Sequence, residues 1–167
     1  VGTVTSFDAS GVKGAVTANL TGAAAGTLAT VKGGEGDDVV TVDLADLTAN
    51  ATISGGAGAN TLKVSGAGTI QPTLSQFQTV ELNGITGDST ISAKNVSDLA
   101  TLAIKGTAAL GSIVTVAGLN SAALTVQTEG AQDGTVQLTS PTVLTYNTTS
   151  TAANTTAKTQ QTVATAI

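Results

Sequence analysis

The chain lacks four residue types that carry much of protein chemistry. Its 167 residues include no cysteine, histidine, methionine or tryptophan. Without histidine and cysteine, zinc, haem and iron–sulfur sites lose their usual ligands, and nucleophilic catalysis loses its usual base and thiol. We therefore expect no catalytic residues, and we expect that the chain is not an enzyme.

Basic and aromatic residues are also scarce. The 6 basic residues are all lysine, the 11 acidic residues give a net charge of -5, and aromatic residues make up 2% of the chain. This composition offers neither a phosphate-tracking groove nor a platform for stacking bases, so nucleic acid is not an expected partner. No apolar stretch approaches the roughly 18 residues of a membrane-spanning helix, so we expect no membrane span.

Small residues dominate instead. The chain contains 20 glycine, 32 threonine and 27 alanine residues. Threonine is β-branched and favours the pleated surface of a sheet. The scarcity of aromatic rings suits a narrow coil, whose interior has room for branched aliphatic side chains but little room for rings.

Apolar residues recur with the period of strands rather than helices. Short alternating runs begin at Val40, Leu62, Val80, Leu102 and Leu124. A second set of apolar positions lies between these runs, near Ile53, Ile91, Val114 and Val136, with Ile70 as a weak member of the long gap. An interval of about 20 residues that contains two short strands and glycine-rich corners is typical of a solenoid.

We therefore predict an all-β fold, a right-handed parallel β-helix or β-roll-like solenoid with about 20–22 residues per rung. Each rung would add one strand to each of two facing parallel sheets. Residues 1–146 would form the solenoid, with one or two rungs before Val31 and a loop at 22–26. Residues 147–167 are polar and threonine-rich, which indicates a tail, a linker or an edge strand. The alternative fold is an antiparallel β-sandwich.

Two glycine-rich segments carry the sharpest motif. Residues 33–41 match the calcium-binding nonapeptide G-G-x-G-x-D-x-U-x at every specified position, and residues 55–63 match it except that Asn60 stands in place of aspartate. The two segments are separated by the length of one rung, so they should stack on one edge of the coil. Their backbone carbonyl groups and the Asp38 carboxylate are oxygen ligands of the kind that Ca²⁺ prefers.

These nonapeptides resemble the hemolysin-type, or RTX, repeats of secreted bacterial proteins. Segments 7–16 and 77–84 are similar to sequence segments of bacterial surface-layer proteins and large surface adhesins. The chain lacks the tandem nine-residue repeats of a full RTX block, which argues against a long calcium ladder. The resemblance implies Ca²⁺ as cofactor, bound by Gly34, Gly36, Asp38, Gly56, Gly58 and Asn60. Other acidic residues are expected to be solvated or structural: Glu35, Asp37, Asp43, Asp46, Asp88 and Asp133.

The resemblance implies a structural component of a bacterial cell-surface layer, a calcium-stabilised segment that self-assembles outside the cell. Its location would be extracellular, after export by type I secretion. Its partners would be further copies in a lattice, adjacent domains of a longer chain, and cell-surface polysaccharide. The alternative function is a stalk or ligand-binding region of a secreted RTX-type adhesin.

Overall fold

The computed structural model describes residues 3–68, 72–86, 88–92, 96 and 99–105, and then the strands at 113–117, 123–129, 135–140, 145–150 and 158–163. These segments contain fifteen strands and one short 3₁₀ helix at Leu44–Asp46. All strand pairs in them are parallel. The predicted parallel β-solenoid is therefore confirmed, and the antiparallel sandwich is excluded.

Successive strands alternate between sheets, so the chain winds as a coil. Sheet A has four strands: β1 (Ser6–Asp8), β3 (Leu28–Lys32), β5 (Leu47–Ser54) and β7 (Thr73–Ser75). Sheet B has seven: β2 (Thr17–Asn19), β4 (Val39–Asp43), β6 (Thr61–Gly66), β8 (Thr79–Ile85), β10 (Thr101–Lys105), β12 (Ala123–Glu129) and β14 (Thr145–Ser150). Sheet C has four: β9 (Ser89–Ser92), β11 (Ile113–Ala117), β13 (Thr135–Ser140) and β15 (Lys158–Val163).

The prediction of two facing sheets is therefore too simple. Sheet B is continuous from β2 to β14, but the strands that alternate with it divide into sheet A up to β7 and sheet C from β9. β14 spans the boundary predicted at residues 146 and 147. β15 lies within the segment predicted as a tail, a linker or an edge strand, and it is the terminal strand of sheet C. Before Val31, β1 and β2 form the expected early rungs, and residues 22–26 lie outside strands as predicted.

The strand registers follow most of the predicted spacing. Val40 pairs with Leu62, Leu62 with Val80, and Val80 with Leu102. The sequence pattern predicts Leu124 as the next partner in this row. Instead, Leu102 pairs with Val126, because the register of β10 and β12 places Thr101 opposite Thr125.

The second predicted row is partly correct. Val114 pairs with Val136, as expected, but Ile91 pairs with Val116. Leu74 in β7, a residue that the sequence pattern had not singled out, follows Ile53 in sheet A. The predicted filler Ile70 lies outside the described residues.

Apolar residues at alternate positions face the interior of the coil. In sheet B, Val42, Val64 and Leu82 form a second buried row beside the first, and in sheet A Val31, Ile53 and Leu74 form a third. Full burial of such a side chain contributes roughly 1.5–3 kcal/mol. Neighbouring rungs bury one another's apolar residues, so stacking supplies most of the stability.

One aromatic ring departs from the expectation that the coil has little room for rings. Phe77 is fully buried and belongs to the core cluster. It lies in the connection from β7 to β8, which has only three residues, where the connections from β3 to β4 and from β5 to β6 have six. The ring therefore lies in a corner that has no glycine-rich loop.

Candidate site at the stacked glycine corners

Three connections from sheet A to sheet B stack on one edge of the coil. They are the first corner (residues 9–16), the second corner (33–38) and the third corner (55–60). The amide of Glu35 donates to the Val12 carbonyl oxygen at 2.8 Å, and the amide of Ala57 donates to the Gly34 carbonyl oxygen at 3.0 Å. The predicted stacking of the two glycine-rich loops is confirmed.

Close backbone approach explains why glycine is required in these corners. A Cβ atom on Gly56 would overlap the Gly34 carbonyl oxygen, and one on Gly58 would lie 2.5 Å from the Gly36 carbonyl oxygen. Gly56 and Gly58 also have positive φ angles, +83° and +88°. Residues other than glycine are strained in that region, so both space and backbone conformation favour glycine there.

A ladder of side-chain hydrogen bonds joins the rungs just before the strands of sheet B. The Val16 amide donates to Asp38 Oδ1 at 2.7 Å, and the Asp38 amide donates to Asn60 Oδ1 at 2.9 Å. The Asn60 amide continues the series to Gln78 Oε1 at 2.6 Å. We call these four residues the corner ladder. Each side-chain oxygen accepts a hydrogen bond from a backbone N–H group of the preceding rung.

The Asp38 carboxylate is fully buried and faces backbone donors. Its Oδ1 accepts from Val16, and its Oδ2 accepts from the Gly34 amide at 2.5 Å. Hydrogen bonds from N–H groups to a charged oxygen are stronger than neutral ones, and they offset the loss of hydration on burial. Backbone N–H groups that point towards the Asp38 carboxylate therefore stabilise it in the second corner.

The Asn60 side chain is also fully buried, but it faces backbone acceptors. Its Nδ2 lies 3.2 Å from the Gly56 oxygen, 3.0 Å from the Ala57 oxygen and 3.5 Å from the Gly58 oxygen. A fourth carbonyl oxygen, that of Gln76 in the next rung, lies 3.0 Å away. The amide orientation follows from these contacts, because Oδ1 faces an N–H group and Nδ2 faces carbonyl groups.

These contacts can be compared with what a calcium ion would need. The structure brings all the predicted ligands together at the stacked corners: Gly34, Gly36, Asp38, Gly56, Gly58 and Asn60. In this conformation, however, the Gly34 oxygen accepts the Ala57 amide, and the oxygens of Gly56 and Gly58 face Asn60 Nδ2. The residues therefore do not fit an ion shared between the two corners unless the Asn60 amide group moves away.

Calcium binding itself stays a prediction. Each Asp38 oxygen accepts a hydrogen bond from one backbone amide, and an ionised carboxylate can accept about four in all. Within the described residues, no cluster of three or more acidic side chains suited to a metal ion is present. The remaining oxygen ligands would have to come from the backbone and from water.

The other acidic residues of the described segments have structural or solvent-facing positions. Glu35 and Asp37 are exposed, and Asp37 Oδ1 accepts the Ala59 amide at 2.7 Å. Asp43 caps the 3₁₀ helix by accepting the Ala45 amide. Asp46 is buried, and its Oδ2 accepts the Gly22 amide of the preceding rung at 2.9 Å. Asp88 is exposed, and Asp133 lies outside the described residues.

Sequence reasoning missed two members of the ladder, Val16 and Gln78. Gln78 follows Asn60 at the same interval that separates Leu62 from Val80. Applying the spacing of the core residues to the corner residues would therefore have identified Gln78 as a member of the ladder. Val16 contributes only its backbone amide, for which no residue type is a signal.

Comparisons with known proteins add no assignment. No family model, curated protein or solved structure matches the chain significantly. Within the described residues, no helix has the length and apolar character needed to cross a membrane. The geometry of the described residues is therefore the basis for a functional proposal.

Proposed function

We propose that this chain is a structural segment of a bacterial cell-surface layer, a β-solenoid that self-assembles outside the cell. The observation that carries the proposal is the corner ladder, in which a polar side chain of each rung accepts a hydrogen bond from a backbone N–H of the preceding rung. Such bonds hold the rungs in register and leave the buried polar groups engaged. The arrangement suits mechanical support better than catalysis, so we do not propose an enzyme.

The outer face of sheet A supports lateral packing. Its outward positions form a row of hydroxyl side chains in register, at Ser6, Thr30, Thr52 and Thr73. All four are exposed or partly exposed. Beside this row on the same face, Asp8 and Lys32 form an ion pair at 3.2 Å, so these residues give the face no net charge that would repel an identical surface, and the face is compatible with contacts between copies. Adjacent domains and surface polysaccharide are further partners in this proposal.

Calcium is the part of the proposal that depends most on the RTX resemblance. An ion bound at the Asp38 carboxylate would add stability by mass action wherever calcium is abundant, as it is outside cells. The extracellular location and the export by type I secretion are also proposed from the RTX resemblance. The stacking of two nonapeptide segments one rung apart supports this part of the proposal, and the contacts of Asn60 restrict it to the second corner.

The test combines assembly with calcium dependence. The purified chain would be concentrated with a chelator, with millimolar Ca²⁺, or with Mg²⁺, and then examined by size-exclusion chromatography and negative-stain electron microscopy. We expect ordered assemblies with Ca²⁺ and a higher melting temperature by circular dichroism. A chain that stays monomeric under all three conditions would contradict self-assembly. A monomer that binds glycans or host cells would instead favour the adhesin alternative.

Two substitutions locate the ion. Asp38→Ala weakens the fold in any buffer because it removes one buried and one partly buried hydrogen bond, so the informative quantity is the difference in melting temperature between Ca²⁺ and chelator. We expect Asp38→Ala to abolish that difference and the exposed Asp88→Ala to leave it intact. An unchanged difference in Asp38→Ala would place any calcium effect elsewhere.

A further inference from the structure

The second and third corners have similar sequences but opposite polarity. Asp38 and Asn60 occupy the same place in register, each just before a strand of sheet B. The loop around Asp38 presents the Gly34 amide to the carboxylate, whereas the loop around Asn60 presents the carbonyl oxygens of Gly56, Ala57 and Gly58.

Backbone conformation explains the difference. Gly56 and Gly58 have positive φ angles, whereas Gly34 and Gly36 do not. The peptide groups of the third corner are therefore turned differently from those of the second corner. A carboxylate accepts hydrogen bonds only, whereas an amide nitrogen donates them, so each loop polarity suits the side chain it surrounds.

We propose that the Asn60 amide group takes the place of a bound cation in the third corner. Four carbonyl oxygens lie within 3.5 Å of Nδ2, a concentration of negative partial charge that requires a positive partner. The two protons of the amide group supply it, and Asn60 has no exposed surface through which water could do so. The third corner therefore closes without a metal ion.

The chemistry predicts what aspartate would do at this position. A carboxylate at residue 60 would bring a full negative charge against four carbonyl oxygens, a set of ligands that suits a hard divalent cation such as Ca²⁺. The substitution Asn60→Asp therefore makes the corner dependent on an ion, whereas the native chain does not depend on one there. This inference does not rest on the surface-layer proposal.

The experiment compares three variants with the native chain by thermal melting, in chelator and in millimolar Ca²⁺. Asn60→Asp should melt about 10 °C lower than the native chain in chelator, and Ca²⁺ should restore at least half of that loss. Asn60→Ala should lose a similar amount, since it removes the same hydrogen bonds, without any added recovery in Ca²⁺. The matched control is Asn50→Ala, at an exposed asparagine of β5, which should melt like the native chain.

A second measurement on the native chain covers the case in which Asn60→Asp does not fold. The side-chain amide protons of Asn60 should exchange with solvent at least about 100-fold more slowly than those of Asn50, by NMR. Adding Ca²⁺ should leave this slow exchange unchanged, even where an ion at Asp38 shifts the Asn60 resonances through the Asp38 amide that donates to Asn60 Oδ1. Fast exchange, or loss of the slow exchange on adding Ca²⁺, would overturn the inference. So would an Asn60→Asp variant that is as stable as the native chain in chelator. None of these results depends on whether the chain forms lattices.

Discussion

Replacing Gly56 by alanine tests the close stacking of the corners most directly. The new methyl group would overlap the Gly34 carbonyl oxygen, and the residue would have to hold a φ angle of +83°. The methyl group would clash with backbone atoms of the neighbouring rung, so the rotation of a side chain cannot relieve the clash. The rungs must move apart, and the Ala57-to-Gly34 hydrogen bond lengthens or breaks.

The expected loss of stability has three parts. The left-handed conformation costs about 1–2 kcal/mol for alanine. A lost backbone hydrogen bond contributes about 1 kcal/mol, and forcing extra volume into a packed region about 1–3 kcal/mol. The reduced freedom of the unfolded chain offsets about 0.4–1 kcal/mol. The free energy of unfolding should fall by about 3–4 kcal/mol, which lowers the melting temperature by about 10 °C.

Gly22→Ala is the matched control. Gly22 has a φ angle of +85°, close to that of Gly56, but a Cβ atom there would meet nothing within 4 Å. It therefore bears the conformational strain alone, and its melting temperature should fall by only about 2–4 °C. Both variants would be measured by urea denaturation and thermal circular dichroism. Equal losses in the two variants would refute the stacking of the corners.

Three further predictions concern the core, an ion-pair network and an exposed carboxylate. Phe77→Ala removes a fully buried ring and should lower the free energy of unfolding by about 3–5 kcal/mol in urea denaturation, whereas a result below about 1 kcal/mol would contradict its burial. Glu81→Gln removes ion pairs to two lysines of neighbouring strands, and it should cost at most about 1 kcal/mol and make stability less sensitive to salt. Hydrogen bonds from Ser10, and then the Lys32 ammonium, lower the pKa of Asp8 from 3.8 to about 2. Because the pKa is lowered, the stabilising contribution of the Asp8 carboxylate is present above about pH 4 and is lost as the pH falls towards 2. Carbon-detected NMR titration of Asp8 should give a midpoint well below 3.8, and Ser10→Ala should raise that midpoint.

The rung interval was readable from the sequence because the interior of a solenoid repeats. Val40, Leu62, Val80 and Leu102 must face the same core, so their spacing records the length of each rung. The interval fails at Val126 because apolar residues occur at both 124 and 126, and either fits an alternating strand. Similarly, no local pattern marks the change from sheet A to sheet C, since both consist of short parallel strands.

The structure of the corners could also be predicted only in part. The nonapeptide match and the spacing of one rung were enough to predict that the loops stack and that Asp38 lies near Asn60. The pattern does not encode which way the peptide groups turn. Gln78 joins the same ladder from a rung that has no glycine motif, so a search for glycine-rich repeats passes over it.

Alternation and spacing are properties of the chain order, so they were enough to predict the solenoid, its rung length and the stacking of the glycine corners on one edge. The polarity of each corner, in contrast, depends on contacts that exist only in the folded chain. A peptide group can present either its N–H or its carbonyl oxygen, and the choice depends on the side chain and the neighbouring rung that it meets in three dimensions. Asp38 therefore lies among donors and Asn60 among acceptors, although their loops are almost alike in sequence.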